Sequence, residues 1–233
     1  MEAIVLAGGF GTRLREVVPD LPKPMAPIAG RPFLEILLHG LSSKGFERVI
    51  LSLGFMADSI SAHFGDHYAG MKLVNVVESR PLGTGGGVRL AMDCVESDHV
   101  YVFNGDTYLD LEVAQVESLW QTMLTPIIVV RSVQDTARYG RLVIEAGRVR
   151  GFTEKGVAGP GLINAGCYVF ARTQLDTLAS GDVFSLEKEV LVPLAHSGSL
   201  AAFVTNGQFI DIGVPEDYFL AQSLLAYRHS SSC

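Results

Sequence analysis

Leu6-Ala7-Gly8-Gly9-Phe10-Gly11-Thr12-Arg13-Leu14 follows without a break on the apolar residues 3–5. A short apolar run that ends in clustered glycines reads as a buried strand breaking into a tight turn. The N–H groups of such a turn can close around phosphate oxygens, because glycine lets the backbone approach an anion that a side chain would hold off. Two well-known phosphate patterns do not fit. Leu14 stands where the dinucleotide-binding pattern G-x-G-x-x-G needs its third glycine, and no Gly-Lys-Ser or Gly-Lys-Thr follows as a P-loop requires. Taken alone, a glycine cluster can also be a plain turn. Arg13 beside it, and Pro22-Lys23-Pro24-Met25 shortly after, favour the anion-binding reading. A lysine between two prolines has a restricted backbone, so its ammonium is aimed with less loss of entropy.

Outward from this stretch, short β-rich apolar runs alternate with helical patterns. Residues 3–6, 48–53, 73–77, 100–104 and 127–130 are the strand candidates. Between the first two, Phe33, Leu34, Leu37, Leu38 and Leu41 recur at helical spacing, with Pro32 at the start and Gly45 just past the end. This alternation predicts an α/β, Rossmann-like fold with a mixed, mainly parallel central sheet flanked by helices. Residues 138–170 change to a strand-turn-strand pattern with Ala146-Gly147 as the turn, which predicts a small antiparallel excursion covering one side of a cleft. A closing helix is expected from Pro215, with Glu216 and Asp217 in its first turn and Arg228 near its end, followed by a frayed tail from His229 to Cys233. No composition shift marks a linker, so residues 1–233 read as one domain.

The charge balance narrows the function. With 18 Lys plus Arg against 25 Asp plus Glu, and a formal net charge of −7, the chain lacks the basic face that a nucleic-acid partner requires. Any phosphate binding must therefore be local. Cys94, Cys167 and Cys233 are odd in number and show no metal-ligand spacing, which fits reduced thiols in a cytoplasm. Cys167 reads as core. The N-terminus has no basic region and its apolar run stops at Gly8-Gly9, so no secretory signal is expected, and no apolar stretch is long enough to span a membrane. The six histidines are scattered and none is assigned to metal or acid–base work.

Asp106 lies in Asn104-Gly105-Asp106, a common turn sequence, but directly beyond the apolar run 100–103, where ligands bind in open α/β sheets. Asp211 follows the strand-like Phe209-Ile210, where an unpartnered carboxylate is costly to bury. Two carboxylates brought together repel unless a cation lies between them. Glu154-Lys155, taken alone, is an ordinary surface pair, and Asn164 an ordinary turn residue.

The combination of Gly8-Gly9-Phe10-Gly11-Thr12-Arg13-Leu14 with Lys23-Pro24-Met25 resembles the signature of the sugar-1-phosphate nucleotidylyltransferase family. The resemblance continues in order through Pro81-Leu82-Gly83-Thr84-Gly85-Gly86, Asn104-Gly105-Asp106, Phe152-Thr153-Glu154-Lys155, Asn164-Ala165-Gly166 and Asp211-Ile212-Gly213-Val214-Pro215. It implies a nucleotidyltransferase fold in which Leu6, Gly8, Gly9, Gly11, Thr12, Gly83 and Thr84 bind the nucleotide and Glu78 reads the base. It implies further that Arg13 holds the β- and γ-phosphates and Lys23 approaches the α-phosphate. Asp106 and Asp211 would hold Mg²⁺, and Glu154, Lys155 and Asn164 would face a sugar 1-phosphate. Within the family, the segments look most like members that take GTP and a manno-configured heptose 1-phosphate to supply bacterial surface polysaccharide. Mannose 1-phosphate guanylyl transfer and muramate-type uridylyl transfer are the alternatives. Guanine has a physical reason in Glu78, since a carboxylate only accepts hydrogen bonds and the guanine edge offers N1–H and the 2-amino group side by side. A nicotinamide-dependent oxidoreductase and a non-catalytic sugar-nucleotide sensor are the rival classes. The first lacks its third glycine, and the second has no need of Arg13, Lys23, Asp106 and Asp211 together.

Overall fold

The opening apolar run becomes the middle of a large sheet. The structure is a computed structural model and describes residues 1–154 and 156–226. In chain order, β1 (Glu2–Leu6) is followed by the small hairpin β2 (Pro27–Ile28) and β3 (Arg31–Pro32), then α1 (Phe33–Ser43), β4 (Arg48–Leu53), α2 (Ala57–Phe64), β5 (His67–Tyr68) and β6 (Met71–Val77). Next come α3 (Gly83–Met92), β7 (His99–Asn104), β8 (Thr107–Leu109), α4 (Val113–Met123), β9 (Ile127–Val133), β10 (Leu142–Glu145) and β11 (Arg148–Phe152). The chain continues through β12 (Gly161–Ala171), α5 (Val192–His196), β13 (Ala201–Thr205), β14 (Phe209–Asp211) and α6 (Pro215–Leu224).

Ten strands form one sheet in the order β10-β11-β13-β9-β12-β7-β1-β4-β6-β5. The pairings make β6, β4, β1, β7, β9, β13 and β10 run in one sense and β12, β11 and β5 in the other, which is the expected mixed, mostly parallel sheet. Ala3 and Val5 of β1 bury themselves in one core and Ile4 in another, because successive side chains of a strand point to opposite faces. The first core takes the apolar stripes of α1, α2, α4 and α6, and the second takes α3 and α5. A central strand covered on both faces has no polar face, which is why 3–5 is apolar at every position.

The chain runs from β1 outward to β4 and β6, then crosses back to lay β7 on the other side of β1. That reversal opens a crevice at the carboxyl ends of β1 and β7, the place where open α/β sheets bind ligands. The antiparallel excursion is present, with Ala146 and Gly147 at φ 49° and 74° in its turn. Its placement differs from the expectation. β10 and β11 extend the main sheet at its far edge, and β12 lies inside the sheet between β9 and β7. A separate two-stranded ribbon, β8 with β14, stands at the crevice instead. α6 begins at Pro215 as expected, with Glu216 and Asp217 in its first turn; Arg228 and the tail from His229 to Cys233 lie outside the described residues. Among the described residues, no helix is long and apolar enough to cross a membrane.

Candidate active site

The loop after β1 is threaded between two strand ends. Ala7 N–H donates to the Ser52 carbonyl at 2.8 Å, and Phe55 N–H to the Gly8 carbonyl at 3.2 Å. Leu14, buried, pins the far end of the loop. Gly11 has φ 59°, and a Cβ there would lie 2.8 Å from Cβ of Lys23, so the two segments quoted from the sequence are in contact only because one is glycine. Beside them opens a cleft of about 320 Å³. It is lined by Leu6, Gly8, Gly9 and Phe10 from the loop after β1, by Glu78, Gly83 and Thr84 from the segment after β6, and by Lys23, Asn104 and Asp106.

Lys23 opens a short 3-10 turn, Lys23–Met25, whose Pro24 and Met25 are buried. Its own side chain is only 10% exposed. The ammonium forms an ion pair with Asp106 and stands 4.0 Å from Asp211 Oδ1. The β8–β14 ribbon explains this meeting of distant residues. Asp211 pairs with Thr107 across it, and Ile212 N–H donates to the Asp106 carbonyl at 2.9 Å. Gly213 N–H donates to Asp211 Oδ1 at 2.7 Å and holds the carboxylate in place. Burial first, and then the charge of Asp106, push the Asp211 carboxyl above its ordinary range, with Lys23 opposing. Burial is the larger cause, and beside it two carboxylates share the single ammonium of Lys23. The pair therefore fits a hard divalent cation. Among the described residues there is no group of three or more His, Cys, Asp or Glu able to hold a metal, so most of the oxygen ligands would come from substrate and water, as is usual for Mg²⁺.

Glu78 lies just past β6. Its Oε2 accepts from Leu82 N–H at 2.9 Å, and a Cβ placed on Gly8 would come within 3.4 Å of its Oε1. Burial raises this carboxyl, opposed by the Leu82 N–H and the Ser52 hydroxyl. Thr84 Oγ1 accepts from Leu186 N–H at 3.0 Å, which ties the start of α3 to the segment beneath it.

The structure thus brings Leu6, Gly8, Gly9, Lys23, Glu78, Gly83, Thr84 and Asp106 to one cleft, with Asp211 against Lys23. Gly11, Thr12 and Arg13 stand on the same loop, Thr12 and Arg13 exposed and outside the lining. Glu154 is exposed, and Lys155 lies outside the described residues. Asn164 is used internally: its amide donates to the Tyr168 hydroxyl at 2.7 Å and its oxygen accepts from Gly166 N–H at 2.9 Å. Seven lining residues carry no role in the sequence assignment, namely Ala7, Phe10, Pro24, Ser52, Pro81, Asn104 and Gly105. Ser52 had a readable signal, as the one polar side chain within the apolar part of the strand 48–53.

The Nucleotidyl transferase family model matches residues 2–227. The chain is 35% identical over 228 residues to D-glycero-alpha-D-manno-heptose 1-phosphate guanylyltransferase of Aneurinibacillus thermoaerophilus, covering 97% of this chain and 99% of that protein. It is 37% identical over 220 residues to the protein of the same name from Campylobacter jejuni, covering 94% and 97%. The crystal structure of HddC from Yersinia pseudotuberculosis complexed with GMP-PN matches with a TM-score of 0.86 at 38% identity, covering 96% of this chain and 99% of that one.

Proposed function

The chain belongs to the nucleotidyl transferase family, and on that premise we propose that it transfers GMP from GTP to D-glycero-α-D-manno-heptose 1-phosphate, giving GDP-heptose and pyrophosphate. The observation that carries this reading is the ammonium of Lys23 held against Asp106 and Asp211 in a glycine-lined cleft. The choice of GTP and heptose rests on the similarity to the two named guanylyltransferases over nearly their whole length.

A phosphate monoester loses its second proton near a pKa of about 6, so the sugar 1-phosphate arrives already nucleophilic and needs no general base. Its oxygen forms a bond to the α-phosphorus of GTP while the bond from that phosphorus to the β-phosphate bridging oxygen breaks, and pyrophosphate leaves with the electron pair. The obstacle is repulsion between two polyanions, so the protein's task is to supply positive charge and in-line placement. Lys23 would act on the α-phosphate, and Arg13, exposed on the same loop, on the β- and γ-phosphates. When bound, Mg²⁺ on Asp106 and Asp211 adds charge stabilisation at the triphosphate oxygens. The loop 7–13 offers N–H groups to the phosphates, and Glu78 reads the guanine edge. Each oxygen of Glu78 has two lone pairs, so its bond to Leu82 N–H leaves acceptors free for N1–H and the 2-amino group. Glu154 and Lys155 would serve the sugar phosphate, and Asn164, engaged with Tyr168 and Gly166, would do so only through its second amide hydrogen and its remaining lone pair.

The test is a single-turnover experiment with GTP labelled at the α-phosphate. With heptose 1-phosphate and Mg²⁺, label should pass into GDP-heptose in step with pyrophosphate release. Without the sugar phosphate, none should remain on acid-precipitated protein. Label bound covalently to the protein excludes direct displacement, and absence of any GDP-sugar excludes the transfer itself.

A further inference from the structure

Residues 134–141, between β9 and β10, form a loop that the transfer chemistry leaves unused. On one side they are knitted to Thr153 and to residues 156–159. Gly156 N–H donates to the Ala137 carbonyl at 3.0 Å, Thr153 N–H to the Arg141 carbonyl at 2.8 Å, and the Thr136 hydroxyl to the Val157 carbonyl at 2.7 Å. A Cβ on Gly140 would lie 2.8 Å from the Thr153 carbonyl oxygen, so the two segments approach closely there. On the other side Arg138 forms an ion pair with Asp217, in the first turn of α6. The same Arg138 nitrogen donates to the Tyr139 hydroxyl at 3.0 Å, and the guanidinium carbon lies 5.4 Å from the centre of the Tyr139 ring. One guanidinium therefore joins loop to helix and fixes the neighbouring ring.

That helix follows Asp211 directly through the turn 212–214, so whatever is fastened to its first turn is fastened beside the carboxylate pair. The Tyr139 phenol reports the proximity. Burial raises it, Arg138 opposes, and the charges of Asp217 and Asp211 push it further up. Strand order says on which side of β1 this loop lies. β4 and β6, which lead to Ser52 and Glu78, lie on one side of β1, whereas β7, β12 and β9 lie on the other. The loop after β9 therefore lies on the side of β1 away from Glu78, the side that on the reading proposed above receives the sugar phosphate.

We propose that Arg138 is a positioning residue whose bridge to Asp217 holds Tyr139 and Gly140 as a preformed wall at the acceptor side of the cleft. A loop already ordered loses less entropy when substrate arrives, so the bridge acts on acceptor affinity. Arg138 is 47% exposed, and an exposed pair contributes little to global stability. Its effect is local.

The experiment is a double-mutant cycle with Arg138→Ala, Asp217→Asn and the combined variant. Each single change should raise KM for heptose 1-phosphate about tenfold, with KM for GTP and the melting temperature nearly unchanged. The combined variant should be no worse than either single one, since both remove the same contact. Arg138→Lys, which keeps the charge, should restore part of the affinity. Amide hydrogen exchange on the substrate-free proteins should show faster exchange at residues 137–141 in both single variants. Additive effects, equal rises in KM for both substrates, or unchanged exchange would overturn the proposal. If the wild-type protein makes no GDP-sugar, the functional reading fails while hydrogen exchange still decides whether the bridge orders the loop.

Discussion

Lys23 shares its charge with two carboxylates, so replacing it acts on both chemistry and charge balance. Lys23→Met should lower kcat by about a hundredfold or more with little change in the KM for GTP, because negative charge is most concentrated at the α-phosphate as the new bond forms. Steady-state kinetics at saturating Mg²⁺ check this, and a change confined to KM would mean uniform binding instead. Asp211→Asn should also reduce turnover at least about a hundredfold, yet it should stabilise the ligand-free protein. The folded-state pKa of Asp211 lies above its ordinary 3.8, so the fold prefers the neutral acid. The stability this group contributes at low pH is lost as pH rises through the raised pKa. Melting curves in chelator should show Asp211→Asn overtaking the wild type increasingly above about pH 4, and a gap of the opposite sign contradicts the electrostatic picture. Glu78→Gln keeps an acceptor for Leu82 N–H but loses a bidentate partner for guanine, so GTP use should weaken by about 1–3 kcal/mol while other triphosphates are spared. That Gly8, Gly9, Lys23 and Asp106 come to one cleft was legible at this scale because each sits in a short sequential motif, whereas Arg13 of the same motif stands outside the lining. Phe10 and Asn104 stand inside motifs that were read, but the spacing of a motif does not say which of its side chains turn into the cleft.

Elements whose burial is continuous were the easiest to read. β1, β4 and β7 announce themselves because both faces of the strand are covered, and α1 because its apolar residues keep helical spacing. β8 and β14 have three residues each, too short for any period to develop, although they are what joins Asp106 to Asp211. The antiparallel pattern of 138–170 was also visible, but edge placement depends on which strand accepts it, and that is a long-range choice. α3 carries the sharpest structural demand. A Cβ on Gly86 would lie 2.3 Å from the Asp182 carbonyl oxygen, a contact that backbone cannot relieve cheaply. Gly86→Ala should therefore destabilise the protein by about 1–3 kcal/mol despite the better helix propensity of alanine. Urea unfolding measures it, and a neutral or stabilising result would show that the segment 182–186 moves freely.

At the scale of the whole molecule, one sheet brings the cleft-lining loops together at the carboxyl ends of β1 and β7, so ligand binding there should be linked to fold stability. GTP with Mg²⁺ at about a hundred times its Kd should add about 2.7 kcal/mol, a rise in melting temperature of roughly 5–10 °C, and a chelator should remove most of it. The parallel half of the sheet explains why the fold class was readable: each strand-helix unit repeats the same alternation. The identity of the transferred group is the central claim, and substrate preference tests it most directly. Pyrophosphate release should be measured with GTP, UTP, dTTP, CTP and ATP against heptose 1-phosphate and mannose 1-phosphate in Mg²⁺. The account expects the highest kcat/KM for GTP with D-glycero-α-D-manno-heptose 1-phosphate; a preference for UTP or dTTP, or no pyrophosphate from any pair, would contradict it.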